Sequence, residues 1–347
     1  MSRMREEIGQ SPGVAALVLE REAGLAAKLA ASLRRSPPRF AVVAGRGTSD
    51  HAAILGKYLL EWGLGLPVAL AAPSIATLYR GPLRLKGALV IGISQSGAST
   101  DVVEFVRRAR RAGALTVAVT NDGSSVLART SHETFLCHAG EERSVAATKT
   151  FMGEAACLYL LASLWAGGEA GRALRRGLPR VPALLDEAIG SERDVAALMR
   201  ARRSLDRCVV LGRGFAFPAA LETALKLKES AGVFAEGSSA ADFLHGPIAM
   251  ARPGLTAVLL ASGGPALRSM EEAAERLRGA GADLVALTPS RALLRRCGAG
   301  VLAPACDDLF SPFPLTLLGQ LAACALAEAK GLDPDRPRGL RKVTRTW

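Results

Sequence analysis

The chain has 347 residues, of which 49% are hydrophobic, 22% are charged and only 5% are aromatic. This apolar content excludes a wholly disordered protein, and the length is typical of about two domains. The formal net charge is +12, and much of the excess is arginine at helical spacing, as in 107–111. We interpret these arginines as solvated helix faces and expect no nucleic-acid partner, because three tyrosines and three tryptophans offer few platforms for base stacking.

The sequence shows no targeting or membrane signal. It lacks a cationic start followed by an apolar stretch and a small-residue cleavage site, so we expect no signal peptide. The longest uncharged stretch, 309–327, contains two prolines and a glutamine, which favours a buried helix over a membrane span. The six cysteines form no CxxC pair and no spacing typical of a metal site. We therefore expect a cytoplasmic protein with no membrane partner, no metal and no cofactor.

Strands and helices alternate along most of the chain. Residues 1–33 predict helices, and a proline-containing break at 34–38 separates them from the first strand. The first half continues with strand 40–44, helix 51–61, strand 88–93, helix 100–112 and strand 115–120. After a charged helical connection, the second half has strand 208–211, helix 218–231, strand 256–261, helix 267–280 and strand 284–288.

The two halves also share sequence. Three pairs of blocks recur at an offset of about 168 residues, namely 40–47 with 207–214, 88–97 with 257–264, and 112–120 with 280–288. Such a long period indicates a duplicated domain. Short continuous apolar strands between helices indicate an α/β fold, in which each half forms a parallel sheet covered by helices on both faces.

The turns at the carboxyl ends of the strands are the places where such sheets bind ligands. The turn 45–50 resembles a dinucleotide fingerprint only in part, because Asp50 stands where the third glycine is required. The turn 94–100 combines hydroxyls, an amide and a glycine at a helix start, which suits a phosphate group. The equivalent turn 261–265 has lost most of these hydroxyls, so we expect one phosphate site per chain.

A second polar cluster lies on the helix 218–231. Glu222, Lys226 and Glu229 are spaced so that they share one helical face, a pattern that is by itself typical of a solvated salt-bridge face. His245 follows shortly before a Gly-Pro pair, in a predicted loop. A lone histidine is usually structural, so neither feature identifies a function without its neighbours.

These motifs together resemble the sugar isomerase (SIS) family. The resemblance is to its tandem-domain branch, which includes the isomerase half of glucosamine-6-phosphate synthase and the SIS-type glucosamine-6-phosphate deaminases. The segments that carry it occur in the family's order and are 94–97, 144–150, 220–229, 244–247 and 336–344. It implies two tandem SIS domains, each a flavodoxin-like three-layer sandwich.

The resemblance also implies domain boundaries and substrate contacts. The expected parts are N-terminal helices (1–33), a first SIS domain (34–170), a helical connector (171–204), a second SIS domain (205–332) and a tail over the active site (333–347). The residues that match the phosphate-binding positions are Thr48, Ser49, Ser94, Gln95, Ser96 and Ser99. Val145 and Ala147 match the segment that touches the sugar hydroxyls, although the synthases have a serine at the position of Ala147.

The catalytic roles are implied in the same way. Glu229 matches the base that moves a proton between C1 and C2, and Glu222 and Lys226 match its polar supports. His245 matches the group that assists ring opening, which the neighbouring subunit supplies in the family, so the resemblance implies a homodimer. Lys342 matches the tail lysine that forms a Schiff base with the keto sugar in the synthases. A positioned carboxylate and a histidine are the residue types that these proton transfers need.

These roles favour an amino sugar phosphate deaminase. The synthases carry an N-terminal glutaminase domain that this sequence does not show, so we expect glucosamine 6-phosphate to be converted to fructose 6-phosphate and ammonia. A deglycase for a fructose–amino-acid 6-phosphate, a deaminase of another amino sugar, and an ammonia-dependent phosphosugar isomerase remain alternatives. A sugar-phosphate-sensing regulatory protein is the alternative outside the enzymes, although binding alone would not require Glu229, His245 and Lys342 together.

Overall fold

The computed structural model of the chain describes residues 2–340 and 342. The part of the expected tail that comprises 341 and 343–347 lies outside the described residues. The chain divides into two compact units, each built around one sheet. We call them the N-sheet unit (13–142, 149–179 and Lys342) and the C-sheet unit (2–12, 143–148 and 180–340).

The secondary structure follows the alternation expected from the sequence. The strands are β1 (Ala41–Ala44), β2 (Val68–Leu70), β3 (Leu89–Ile93), β4 (Leu115–Thr120), β5 (Glu133–Leu136), β6 (Arg207–Gly212), β7 (Phe234–Ser239), β8 (Thr256–Leu260), β9 (Asp283–Thr288) and β10 (Gly300–Leu302). The helices up to the connection are α1 (Arg3–Gly9), α2 (Ser11–Arg21), α3 (Ala23–Arg35), α4 (Thr48–Leu64), α5 (Pro73–Thr77), α6 (Thr100–Arg111), α7 (Val126–Thr130), α8 (Lys149–Trp165) and α9 (Gly168–Gly177). They are followed by α10 (Val181–Gly190), α11 (Glu192–Arg200), α12 (Phe217–Ala231), α13 (Ala240–Leu244), α14 (Leu267–Gly279), α15 (Arg291–Cys297) and α16 (Pro312–Ala329).

Both sheets are parallel and have the same strand order. The N-sheet unit has the order β2-β1-β3-β4-β5, and the C-sheet unit has the order β7-β6-β8-β9-β10. When the strands of each sheet are numbered in their own chain order, both sheets read 2-1-3-4-5, the flavodoxin-like order. In this order the succession of strands across the sheet reverses between the first and third strands, and ligands bind at this point in such folds. The predicted α/β fold of two tandem domains, each built on a parallel sheet, is therefore confirmed.

The central strands are buried because helices cover both faces of each sheet. Every residue of β3 and of β8 is buried, which explains why these strands read as continuous apolar runs. In α6 the apolar residues face the sheet, whereas Arg110 and Arg111 are exposed at the last turn. The positive charges of these arginines also interact favourably with the negative end of the helix dipole.

Helix α16 forms the core of the C-sheet unit. It is long and apolar enough to cross a membrane, but 83% of its most apolar window is buried inside the protein, as expected for a core helix. It packs against α12 at Gly319, where a side chain would overlap Thr223. This close approach fixes the position of the helix that carries Glu222, Lys226 and Glu229.

Candidate active site

The serine-rich turn lies at the carboxyl end of β3, directly before α6. The hydroxyls of Ser94 and Ser99 lie 3.0 Å apart, and the Ser96 hydroxyl accepts a hydrogen bond from the Ala98 N–H at 3.3 Å. Ser99 is the N-cap of α6, but its side chain makes no capping hydrogen bond with the helix. The turn therefore gathers hydroxyls at the positive end of a helix dipole, the arrangement that binds a phosphate.

Gly97 allows the chain to turn there. Its φ of +58° lies in the left-handed region, and a side chain at this position would overlap the Ser125 side chain. The Gly97 carbonyl accepts a hydrogen bond from the Leu127 N–H at 3.0 Å, which ties the turn to α7. The glycine of the Ser-Gln-Ser-Gly motif is thus required by backbone conformation and by packing.

The first turn of the N-sheet unit places Thr48 and Ser49 at the start of α4. The buried Ser49 hydroxyl donates to the Glu154 carboxylate at 2.7 Å, so its proton is directed toward α8. Gly45 lets α4 begin close to β1, because a side chain there would overlap the Ser49 carbonyl. Beside Ser49, burial raises the pKa of Asp50, and electrostatic interactions with His51 and Arg46 oppose that rise.

Arg46 contributes a charge that the sequence analysis did not assign to the site. Its Nε atom lies 2.5 Å from the Oδ2 atom of Asp101, whose side chain is almost fully buried in the first turn of α6. The Arg46 side chain remains half exposed. This ion pair brings a guanidinium to the helix start that follows the serine-rich turn. In the sequence, the feature that could have identified Arg46 is its position between two glycines at the end of the first strand.

Glu142 joins three parts of the N-sheet unit. Its carboxylate accepts hydrogen bonds from the Gln95 amide at 2.9 Å and from the Thr150 N–H and hydroxyl at 3.2 and 3.0 Å. The Lys342 ammonium lies 3.2 Å from the same carboxylate. The Glu142 side chain is fully buried. Two predicted site residues, Gln95 and Lys342, are therefore brought together by a residue that the sequence analysis did not single out.

Helix α12 of the C-sheet unit carries the predicted acid–base cluster. The Lys226 ammonium lies 3.5 Å from the Glu222 carboxylate and forms a closer ion pair with Glu229. The side chains of Lys226 and Glu222 are fully buried, whereas 24% of the Glu229 side chain is exposed. The shared helical face is confirmed, and it is not a solvated salt-bridge face. Glu229 is the one carboxylate of this group that is partly exposed.

His245 follows α13 at the surface of the C-sheet unit. The residue is exposed, and its Nδ1 atom lies 2.7 Å from the Ala241 carbonyl oxygen. A neutral imidazole that donates from Nδ1 to this carbonyl has Nε2 as its acceptor nitrogen. The imidazole ring is thus oriented by a carbonyl of its own helix and is exposed at the surface of this unit.

The segment 143–148, which contains Val145 and Ala147, belongs to the C-sheet unit. The buried Glu7 carboxylate accepts hydrogen bonds from the Arg143 and Ser144 N–H groups. The Val145 N–H donates to the Asp335 carbonyl at 3.3 Å, and the Asp335 carboxylate caps the start of α1. The chain leading to the tail lysine is therefore anchored beside the segment expected to touch the sugar.

The second serine-containing turn, 261–265, differs from the first in what fills it. A side chain at Gly264 would overlap Asp308, so the Asp308 side chain packs directly on this turn. A carboxylate at this position repels a phosphate. Within the part of the chain that the structure describes, no three His, Cys, Asp or Glu side chains group as metal ligands.

Comparison with known proteins gives a consistent family assignment. The family model described as SIS domain matches residues 37–164 and 203–304. The glutamine–fructose-6-phosphate aminotransferase (isomerizing) of Pyrococcus horikoshii is 33% identical over 311 residues, which cover 87% of this chain and 51% of that protein. The enzyme of the same name from Gloeobacter violaceus is 33% identical over 353 residues, covering 98% and 58% respectively. The chain thus spans about half the length of the curated relatives it matches.

Solved structures agree with this assignment. A chain from Silicibacter pomeroyi DSS-3, provisionally described as a phosphosugar isomerase, is 37% identical with a TM-score of 0.86, covering 96% of this chain and all of that one. The C-terminal domain of glucosamine-fructose-6-phosphate aminotransferase from Francisella tularensis is 24% identical, with a TM-score of 0.86 and coverage of 97% and 98%. Glucosamine-6-phosphate deaminase from Thermotoga maritima is 20% identical, with a TM-score of 0.74 and coverage of 99% and 100%. The last two show a shared fold.

Proposed function

Because the chain belongs to the SIS domain family, we propose that it is a phosphosugar isomerase that deaminates an amino sugar phosphate. In this proposal glucosamine 6-phosphate and water are converted to fructose 6-phosphate and ammonia. The observation that carries the proposal is the buried Lys226 between Glu222 and the partly exposed Glu229 on α12. Such a held carboxylate suits proton abstraction next to a carbonyl, whereas binding alone does not require it.

The serine-rich turn is proposed to hold the phosphate group. Ser94, Gln95, Ser96 and Ser99 supply neutral donors at the start of α6, with Thr48 and Ser49 beside them. Arg46 adds a positive charge at the same helix start. Binding energy from the phosphate, which takes no part in the reaction, can then orient the sugar carbons for proton transfer. Val145 and Ala147 are proposed to contact the sugar hydroxyls.

Proton transfer is proposed to follow ring opening. His245 would move the proton between the ring oxygen and the C1 hydroxyl, which gives the open-chain aldehyde. Glu229 would then take the proton from C2 and return it to C1, while a second proton passes from the amine nitrogen to the C1 oxygen. The C1 aldehyde thereby becomes a hydroxyl and the C2 amine becomes an imine. Water adds to this imine, and its collapse releases ammonia and leaves the keto group of fructose 6-phosphate. Lys226, with Glu222 behind it, fixes the position of Glu229 during these steps.

His245 is exposed, so it is suited to act on the substrate of a second subunit in a homodimer, with each copy serving the other. The six cysteines are free thiols, as is usual in the reducing cytoplasm. We therefore place the enzyme in the cytoplasm as a homodimer.

The test is ammonia release from a panel of phosphorylated substrates. Wild type, Glu229→Gln and the surface control Glu272→Gln are incubated with glucosamine 6-phosphate, galactosamine 6-phosphate and a fructose–amino-acid 6-phosphate. We expect wild type and the control to release ammonia from glucosamine 6-phosphate, and Glu229→Gln to lose about three orders of magnitude in rate. Release of free amino acid from the third substrate alone would establish a deglycase instead. Tight binding of sugar phosphates without any turnover would favour a sensor.

A further inference from the structure

Glu142 is a buried carboxylate for which the proposed proton transfers have no use. A buried carboxylate is strongly unfavourable unless hydrogen bonds or a cation compensate for the water it has lost. Glu142 meets this requirement with donors from three separate segments: the turn after β3, the first turn of α8 and the tail. These segments lie 47, 8 and 200 residues away along the chain. A carboxylate that only capped α8 would need its bonds to Thr150, but not those to Gln95 and Lys342.

The contact with Gln95 determines how the amide is presented. The Gln95 Nε2 atom donates to Glu142 at 2.9 Å, which fixes the amide nitrogen, and not its oxygen, on this side. An amide nitrogen carries two hydrogens, so one remains for a second acceptor. If the amide were reversed, its carbonyl oxygen would meet the Glu142 carboxylate and be repelled. Glu142 therefore holds Gln95 in the orientation that offers a donor.

The contact with Lys342 places a cation next to that donor. The Lys342 ammonium and the Gln95 amide both bond to the Oε2 atom of Glu142, at 3.2 and 2.9 Å. Two groups that share one acceptor atom must lie close to each other. We infer that Glu142 is a positioning residue that couples the phosphate-binding turn to the tail lysine through one carboxylate oxygen. The inference rests on the proposed function in giving Gln95 and Lys342 roles toward the sugar phosphate.

The coupling has a direct consequence for binding. Removing the charge of Glu142 while keeping its shape leaves an acceptor for Gln95 but weakens the charge-assisted bond to Lys342. Removing the charge should therefore change the reactivity of Lys342 most strongly, and the affinity for phosphate to a smaller extent. A residue that only stabilised the fold would change neither in a protein that remains folded.

The experiment measures both groups without requiring turnover. Wild type, Glu142→Gln and Glu133→Gln are treated with a lysine-acylating reagent, and the rate of Lys342 acylation is followed by mass spectrometry. Calorimetry gives the affinity of each for inorganic phosphate and for fructose 6-phosphate. Glu133 is the matched control. Its carboxylate lies 3.1 Å from the Lys28 ammonium, close to the 3.2 Å between Glu142 and Lys342, but this ion pair lies at the surface. Thermal unfolding verifies that each variant is folded.

We expect acylation of Lys342 to be about tenfold faster in Glu142→Gln than in wild type, and phosphate affinity to fall about threefold. Glu133→Gln should match wild type in both. If Glu142→Gln does not fold, Glu142→Asp is the second variant, because its shorter side chain keeps the negative charge but moves it away from Gln95 and Lys342. It should change the acylation rate of Lys342 and the phosphate affinity in the same directions as Glu142→Gln. Unchanged Lys342 acylation and unchanged phosphate affinity in a folded variant would overturn the inference.

The result is separable from the proposed function. Acylation of Lys342 and binding of inorganic phosphate depend on no reaction, so the predicted changes would support the coupling even if wild type released no ammonia. Conversely, ammonia release by wild type together with unchanged acylation and affinity in Glu142→Gln would leave the deaminase proposal standing and remove the coupling.

Discussion

The Lys226 ammonium lies 3.5 Å from the Glu222 carboxylate, and both side chains are completely buried on α12. Lys226 forms its second ion pair with Glu229, which reaches the surface. The cluster is therefore a buried ion pair with one exposed carboxylate at its outer end. Two charges fixed inside the protein thus hold the third, partly exposed, in place.

Loss of Glu222 should destabilise the fold. Glu222→Gln leaves the buried Lys226 with one carboxylate instead of two, which we expect to lower the free energy of unfolding by about 3 kcal/mol. Urea denaturation measures this change. The surface pair Arg268–Glu272, with the same four-residue spacing as Glu222–Lys226, is the control, and Glu272→Gln should change stability by less than about 0.5 kcal/mol. Equal effects of the two substitutions would show that Lys226 does not depend on Glu222.

Gly97 should be indispensable to the serine-rich turn. Gly97→Ala adds a side chain at a left-handed φ and against Ser125, so we expect a lower melting temperature and a loss of inorganic phosphate binding. Gly65→Ala separates the two causes, because Gly65 has a similar φ of +62° but open space around it. That control should cost about 1 kcal/mol and leave phosphate affinity intact. Normal phosphate affinity in Gly97→Ala would argue against the turn as the phosphate site.

Arg46 should contribute to phosphate affinity through its charge. Arg46→Met removes the guanidinium held by Asp101 at the start of α6, and we expect fructose 6-phosphate to bind about tenfold more weakly. The salt dependence of binding should also become shallower, because one cation fewer faces the anion. Arg111→Met removes the same charge from the exposed end of the same helix and should leave affinity unchanged. Calorimetry at two salt concentrations distinguishes these outcomes.

Two aspartates should affect stability with opposite dependence on pH. Burial raises the pKa of Asp50, so ionisation of this carboxyl destabilises the folded chain above its folded-state pKa, and the cost disappears below about pH 4. Hydrogen bonds from the Ser124 hydroxyl and N–H lower the pKa of Asp122, so its ionised form stabilises the fold at neutral pH, and this is lost as pH falls through the folded value.

Melting temperatures of the corresponding substitutions are measured between about pH 2 and about pH 7. Asp50→Asn should be more stable than wild type at pH 7, and Asp122→Asn less stable. The Asp50→Asn difference should shrink as the pH falls toward about 4, because the folded-state pKa of Asp50 lies above the unfolded value. The Asp122→Asn difference should persist to about pH 4 and shrink only below it, because the folded-state pKa of Asp122 lies below the unfolded value. A difference of the same sign for both substitutions at pH 7 would contradict the assigned causes.

Much of the fold was predictable from the sequence because buried parallel strands leave continuous apolar runs. Strands β3, β4 and β8 were predicted within a residue or so of their bounds, and α12 began one residue earlier than expected. The edge strands β2, β5, β7 and β10 were not predicted. They are short or partly polar, and one side of each faces no further strand, so their sequences resemble loops.

The site was predictable only where its residues form local motifs. The serine-rich turn and the face of α12 are contiguous in sequence, so spacing alone placed their members together. Glu142 and the pair Arg46–Asp101 depend on partners dozens to hundreds of residues away, which spacing cannot reveal. The burial of Lys226 was likewise unpredictable, because a charged helical face normally points to water.

The most direct test of the proposed chemistry follows the proton that Glu229 is expected to carry. Wild type and Glu229→Gln are incubated with fructose 6-phosphate and ammonium chloride in D₂O, so that the C2 imine can form, and deuterium at C1 is measured by NMR. The proposed mechanism predicts deuterium at C1 with wild type and with Glu272→Gln, and none above background with Glu229→Gln, although Glu229→Gln still binds the sugar phosphate. Equal deuterium incorporation by wild type and Glu229→Gln would contradict the assignment of Glu229 as the base.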